Sequence, residues 1–288
     1  MNRSNSTQLL QEGYSQARRI TRQWAKTFYF ASQFLSREKQ KAAYAIYAIC
    51  RLSDDAVDSP TRKGSEELSL LKSRIDASFN HTVINDPILL AFKNTIEQYA
   101  IPKIYFDELI NGMHMDLTVS RYRTFDELYH YCYQVAGVVG LMMLKVFGSD
   151  NPEAENHAIN LGIAMQLTNI LRDIKEDFAR GRIYLPEDEM KSFNVSENTL
   201  LEQRIDENFI SLLKFQIERA RDLYSRSQEG IIMIQDKQCR FVVRIMKNMY
   251  AAILAAIEKN RYDVFRQRAH VTTLGKMSIA TKTLLAKK

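Results

Sequence analysis

Two stretches of the chain set acids at the spacing of a helical turn. In "SDDAVD" (residues 53 to 58), Asp54 and Asp58 follow Tyr47 and Arg51 at steps of three and four, so these side chains share one helix face, with Asp55 beside them. In "QLTNILRDIKEDF" (166 to 178), Gln166, Asn169, Asp173 and Asp177 repeat the pattern, with Arg172 and Glu176 adjacent. Two carboxylates one turn apart suit a hard divalent cation, and Mg²⁺ is typically held by a few carboxylates completed by water and phosphate oxygens. Each face therefore reads as a site for a metal ion and a phosphate group.

Spacing alone is a weak signal. Sixteen aspartates in 288 residues give roughly one Asp-x-x-x-Asp pair by chance, and a solvated acidic face is the ordinary alternative. Against that alternative, 54/58 and 173/177 are the only such pairs, and their faces carry amide, tyrosine and guanidinium groups instead of lysines at salt-bridge spacing. "GRIYLP" (181 to 186) and the small-residue run "VAGVVG" (135 to 140) point the same way. Ala136, Gly137 and Gly140 open space on a helix at some cost in stability, which either a pocket for a long apolar ligand or close helix packing explains.

The elements that must carry these faces are helices. Glycine (10) and proline (5) are too scarce to punctuate an all-β chain. Apolar residues recur at steps of three and four from Ile205 to Tyr224 and from Phe241 to Ile257, as in long core helices. Thr124 with Glu127 reads as a capping box, and Pro152 and Pro102 read as first-turn prolines. The expectation is an all-α chain of roughly eight to ten helices in a single domain spanning 1–288, with loops at 58–65 and 180–196.

A net charge of +6 and a pI near 9.1 fit a nucleic acid, an anionic membrane surface or a phosphorylated substrate. The basic residues are scattered and match no nucleic-acid-binding motif, so no nucleic acid partner is expected. Cys50, Cys132 and Cys239 are odd in number and form no CxxC pair, which suits a reducing, cytoplasmic setting. The N-terminus has no apolar signal core, and no stretch approaches the ~18 to 20 apolar residues of a membrane span. P-loop, Rossmann and H-E-x-x-H signatures are all missing.

Over nearly its whole length the chain resembles the squalene and phytoene synthases. The blocks that carry the resemblance are "TFYFAS" (27 to 32), "AIYAICRLSDDAVD" (45 to 58), "GMHMDL" (112 to 117), "YCYQVAGVVGLMM" (131 to 143), "LGIAMQLTNILRDIKEDFARGRIYLPEDEM" (161 to 190) and "NRYDVFRQRAHV" (260 to 271), in the family's order. The resemblance implies an isoprenoid-synthase-like helical fold with a central cavity, and a prenyltransferase that joins two isoprenoid diphosphates head to head through a cyclopropyl diphosphate. Geranylgeranyl diphosphate to phytoene is the leading expectation. Farnesyl diphosphate to dehydrosqualene or squalene is the alternative, and a non-catalytic assembly protein on the same fold is an alternative of another class. A head-to-tail elongase or terpene cyclase also uses paired acidic motifs, but the "YCYQVAGVVG" and "GRIYLP" blocks argue against it.

Position by position, Asp54, Asp55 and Asp58 match the family's first aspartate-rich motif, and Asp173 and Asp177, with Asn169, match the second. The resemblance implies that they coordinate Mg²⁺, with Mn²⁺ as a substitute, around the diphosphates. Tyr47, Arg51, Gln166 and Arg172 match positions about the same site, as do Tyr250 and Arg268 nearer the C-terminus. Family members often place two serine hydroxyls just before the first phenylalanine, whereas this chain reads Ala25-Lys26-Thr27-Phe28 and keeps only the Thr27 hydroxyl. Aromatic faces suit a carbocation, and Phe28, Phe30, Tyr47 and Tyr250 are the candidates, with plain core packing the alternative for each. Cavity depth is expected to depend on Phe30, Val138, Val139, Leu141 and Met165. Neither His114 nor His130 is assigned as a base. The chain looks more like the non-reducing type, for which NADPH is not required, and it ends at Lys288 with no C-terminal anchor. A hydrocarbon product implies peripheral contact with the inner face of a membrane.

Overall fold

A computed structural model describes residues 3–58, 64–80 and 83–286. The chain begins with α1 (Arg3–Trp24), α2 (Lys26–Ser32) and α3 (Arg37–Val57), followed by α4 (Gly64–Ser78), α5 (Pro87–Gln98) and α6 (Lys103–Thr118). After α7 (Phe125–Cys132), one π-helical turn, Tyr133–Gly137, leads into α8 (Val138–Phe147). Helix α9 (Ala154–Arg172) precedes three short helices, α10 (Ile174–Ala179), α11 (Glu187–Ser192) and α12 (Glu197–Leu201). Helices α13 (Glu207–Arg226), α14 (Gln228–Met233), α15 (Lys237–Lys259) and α16 (Thr273–Leu285) complete the chain. Among the described residues there is no strand, only an isolated bridge between Arg121 and Ile183.

Local chemistry sets the helix starts. Ser36, Asp86, Thr124, Asp206 and Thr272 each accept a hydrogen bond from the amide three residues on, and Asp236 accepts from Gln238 and Cys239. The capping box at Thr124 is only half formed, because Glu127 turns its carboxylate to the Arg123 amide at 2.8 Å. Pro102 is the N-cap residue of α6 and Pro152 lies ahead of α9, so neither falls inside a first turn.

The sixteen α-helical segments among the described residues exceed the eight to ten expected, because helices of five to eight residues are too short to show a full apolar period. For the same reason the expected loop at 180–196 contains α11, and the one at 58–65 gives way to α4 from Gly64; residues 59–63 of that expectation lie outside the described residues, as does Lys288.

Two large apolar clusters form most of the core, and a small third one joins Ala17 of α1 to Tyr44 and Ala48 of α3. Of the large ones, one gathers α3, α4, α5, α6, α8 and part of α15; the other gathers α7, α9, α13 and the rest of α15. Tyr133, Val135 and Leu161 touch both, so the π turn and α9 run along the seam. The glycines here serve close approach. A Cβ on Gly140 would lie 2.4 Å from the Ala158 carbonyl oxygen, and one on Gly162 would lie 2.3 Å from that of Ala136. The small-residue run thus packs backbone against backbone, while Ala136 and Gly140 also line a cavity, so both readings of that run hold.

Candidate active site

Three helix ends bring the acids together. Asp54 is in the last turn of α3 and Asp58 is its C-cap. Asp116 is in the last turn of α6. The second motif is not one continuous helix: α9 ends at Arg172, Asp173 sits in the break, and Asp177 belongs to α10. The Asp177 amide still donates to the Asp173 carbonyl at 2.9 Å, which preserves the one-turn spacing across the kink.

Arginines divide each pair. Asp58 accepts from Arg180 Nη1 at 2.8 Å and Arg182 Nη1 at 3.1 Å. Asp173 is held by Arg268 through Nε at 2.7 Å and Nη2 at 2.9 Å, and also by Arg172. Burial pushes the Asp173 carboxyl up, but these hydrogen bonds and charges outweigh it and hold the group below the usual carboxylate range. Asp54 and Asp177 form no ion pair with any described residue. Burial, reinforced by Asp116, Asp58 and Asp55 against the opposing Arg51, pushes Asp54 up to about 7. Burial and Asp173, against Arg180 and Arg182, push Asp177 up to about 7 as well.

Asp116 was not singled out by spacing, although it lies in the "GMHMDL" block. It accepts from the Tyr184 hydroxyl at 2.7 Å and the Tyr131 hydroxyl at 3.1 Å, and Arg182 Nη2 donates to its backbone carbonyl at 3.2 Å. Burial raises its carboxyl, and its charge acts on both Asp54 and Asp177. Arg180, Arg182 and Tyr184 were likewise not chosen individually, though the "GRIYLP" block contains two of them. The backbone bond from Ile183 N to Ser120 O, at 2.9 Å, fixes that segment beside the end of α6.

Beside the acids lies an apolar cavity of about 310 Å³. Tyr47, Gln166, Asn169 and Tyr250 line it near the acids, and Phe147, Ile231 and Ile234 are also in its wall. Phe28 packs on Tyr47 with ring centroids 5.9 Å apart, and both line the cavity. The π turn contributes Val135 and Ala136. Val139 and Met165 are in the wall as expected, whereas Phe30, Val138 and Leu141 are not, because these three turn into the surrounding core.

The remaining expected residues fall around the rim. Arg51 pairs with the exposed Asp55, and its guanidinium lies 4.0 Å from the Trp24 ring centroid. Thr27 is half-buried in α2, whose N-cap position is Ala25 and has no side-chain cap. Burial raises the phenols of Tyr47 and Tyr250, so both rings stay neutral.

The donor set fits a hard divalent cation. The buried Asn169 Oδ1 has no hydrogen-bond partner among the described residues, and Asp54 and Asp177 are desolvated carboxylates that form no ion pair with any described residue. Among those residues no three acidic, cysteine or histidine side chains converge closely enough to hold a metal ion unaided, so ligand oxygens must complete any such shell.

Comparison with known proteins adds a consistent picture. The family model described as squalene/phytoene synthase matches residues 21–275. The phytoene synthase of Arthrospira platensis is 42% identical over 282 residues, covering 92% of this chain and 90% of that protein. The 15-cis-phytoene synthase of Synechococcus elongatus is 39% identical, covering 93% and 91%. The crystal structure of a dehydrosqualene synthase in complex with ligand superposes with a TM-score of 0.91 at 30% identity, covering 97% of this chain and 98% of that one.

Proposed function

The chain belongs to the squalene/phytoene synthase family, and from that premise we infer that it condenses two molecules of geranylgeranyl diphosphate head to head into phytoene. The family acts on isoprenoid diphosphates and is of a divalent-metal-dependent type. The observation that carries the reading is the pairing of two arginine-held acids with two unclaimed, desolvated acids beside an apolar cavity.

In this reading Asp54, Asp58, Asp173, Asp177 and Asn169, with Asp55 at the edge, would hold Mg²⁺, and the ion when bound would supply the positive charge that stabilises a departing diphosphate. Arg51, Arg172, Arg180, Arg182 and Arg268 orient the diphosphate oxygens, with Gln166 and Thr27 as neutral donors. Phe28, Tyr47 and Tyr250 offer aromatic faces to the prenyl cation while the double bond of the second chain attacks it, and later while the cyclopropyl diphosphate rearranges. The cavity wall keeps water from the cation. The final proton passes to the released diphosphate, with no dedicated base assigned to this chain, and no nicotinamide reductant is consumed.

The structural likeness to a dehydrosqualene synthase favours one second reading, coupling of two farnesyl chains. Incubation with Mg²⁺ and each diphosphate separately, without NADPH, distinguishes them by product mass. A C40 hydrocarbon is expected; a C30 product alone would transfer the assignment to the second reading, and no hydrocarbon from either substrate would overturn both. Among the described residues no helix is long and apolar enough to cross a membrane. Separately, from the hydrocarbon nature of the product, we propose a cytoplasmic enzyme that passes its product to a bilayer by peripheral contact.

A further inference from the structure

A ring holds Arg51. Among the described residues Asp55 is the only acid that forms an ion pair with it, and that carboxylate is about half exposed, a weak tether on its own. The buried Arg51 Nε has no hydrogen-bond partner among the described residues. The guanidinium instead lies over Trp24, its central carbon 4.0 Å from the ring centroid. The arginines at Asp58 and Asp173 are fixed differently, by carboxylates that occupy their N–H donors. A stacked ring sets the plane of a guanidinium and takes no donor from it.

Helix register delivers that ring. Helices α1 and α3 run side by side in one direction, and their paired residues keep one constant spacing in sequence: Lys41 Nζ lies 5.5 Å from the Tyr14 ring centroid, Tyr44 shares a buried cluster with Ala17, and Arg51 meets Trp24. Trp24 is the last residue of α1, and α2 begins two residues later at Lys26. At 53% exposure it contributes little to the core. What it covers is Arg51.

We propose that Trp24 is a positioning residue for the diphosphate: stacked on Arg51, it holds the guanidinium plane while the donors that Asp55 does not use stay available to phosphate oxygens. This rests on the reading of Arg51 as a diphosphate ligand and adds a residue that neither acid motif contains. A packing role would ask only for apolar bulk at position 24, whereas a positioning role asks for a π face.

Binding of inorganic diphosphate in the presence of Mg²⁺, followed by calorimetry, tests this without turnover. Trp24→Leu keeps apolar bulk but loses the π face and should weaken binding about fivefold, whereas Trp24→Phe should stay within about twofold of the native chain. In an Arg51→Gln background Trp24→Leu should have no further effect, because the two residues act through one interaction. Trp24 is the only tryptophan in the chain, so Arg51→Gln should also change the fluorescence of the ligand-free protein. Native affinity in Trp24→Leu, equal losses from leucine and phenylalanine, a leucine effect that persists without Arg51, or an unchanged emission spectrum would each overturn the proposal. A native chain that binds no diphosphate refutes the reading of Arg51 itself, and one that binds it with no dependence on Trp24 refutes only this inference.

Discussion

Asp58 and Asp173 are each gripped by two arginines, whereas Asp54 and Asp177, one turn away from them, have no cation partner and ionise only near neutrality. The free member comes first in one motif and second in the other. Local spacing sets which acids are neighbours; arginines brought in from positions 180, 182 and 268 decide which of them is neutralised. A motif with two equal aspartates in sequence is therefore two unequal acids in space.

The comparison breaks most sharply at the free acids. Asp54→Asn and Asp177→Asn are each expected to cost on the order of a hundred- to thousandfold in kcat without lowering the melting temperature, since a desolvated charge is removed. Steady-state kinetics beside thermal melts tests this, and a loss of less than about threefold at either position removes the distinction.

At the gripped acids the effect should move to binding. Arg268→Lys replaces a two-pronged bond to Asp173 with a point charge, and the expected result is a rise of about tenfold in KM for the diphosphate, read with kcat in the same assay.

Proton linkage sharpens the contrast further. Asp54 and Asp177 have folded-state values raised from 3.8 to about 7, so the folded chain holds protons that the unfolded chain has already lost. Their contribution to stability is thus fully present below the ordinary carboxylate value and is lost as pH rises through about 7. A cation that needs both ionised reverses that loss, so Mg²⁺ should raise the melting temperature more at pH 8 than at pH 6. Equal rises at the two pH values would contradict the assignment. The smallest effect is expected from Asp116→Asn, which removes a shared negative neighbour and should shift the midpoint of this Mg²⁺ response down by less than about one pH unit, measured by the same melts.

Much of this could be read in the chain itself. The long helices α13 and α15 announce themselves by apolar period, and both acid pairs by their spacing. The short helices α10, α11 and α12 could not be read in this way, because five or six residues do not complete two turns. Asp116 was hidden for a different reason. It has no second acid on its helix face, and its importance comes from Tyr131, Tyr184 and Arg182, which reach it across up to 68 residues of sequence. The kink at Asp173 was equally invisible, since nothing in "LRDIK" breaks a helix by propensity. Cavity depth failed at Phe30, Val138 and Leu141 because a linear pattern cannot tell which side of a helix faces a void and which faces packed core.

The grip of Arg180 and Arg182 on Asp58 and of Arg268 and Arg172 on Asp173 has one more consequence. These guanidinium groups are already satisfied before any ligand arrives, so an incoming phosphate exchanges one anion for another instead of filling an empty charge. A singly charged anion gains little by that exchange. In the proposed reading a diphosphate arriving with cations would win it twice over, because it would replace the carboxylates on the arginines and free those carboxylates for the cations. On that reading the aspartates would be resident stand-ins for phosphate, and the threshold they set would favour ligands of high charge over the simple anions of the surrounding solution.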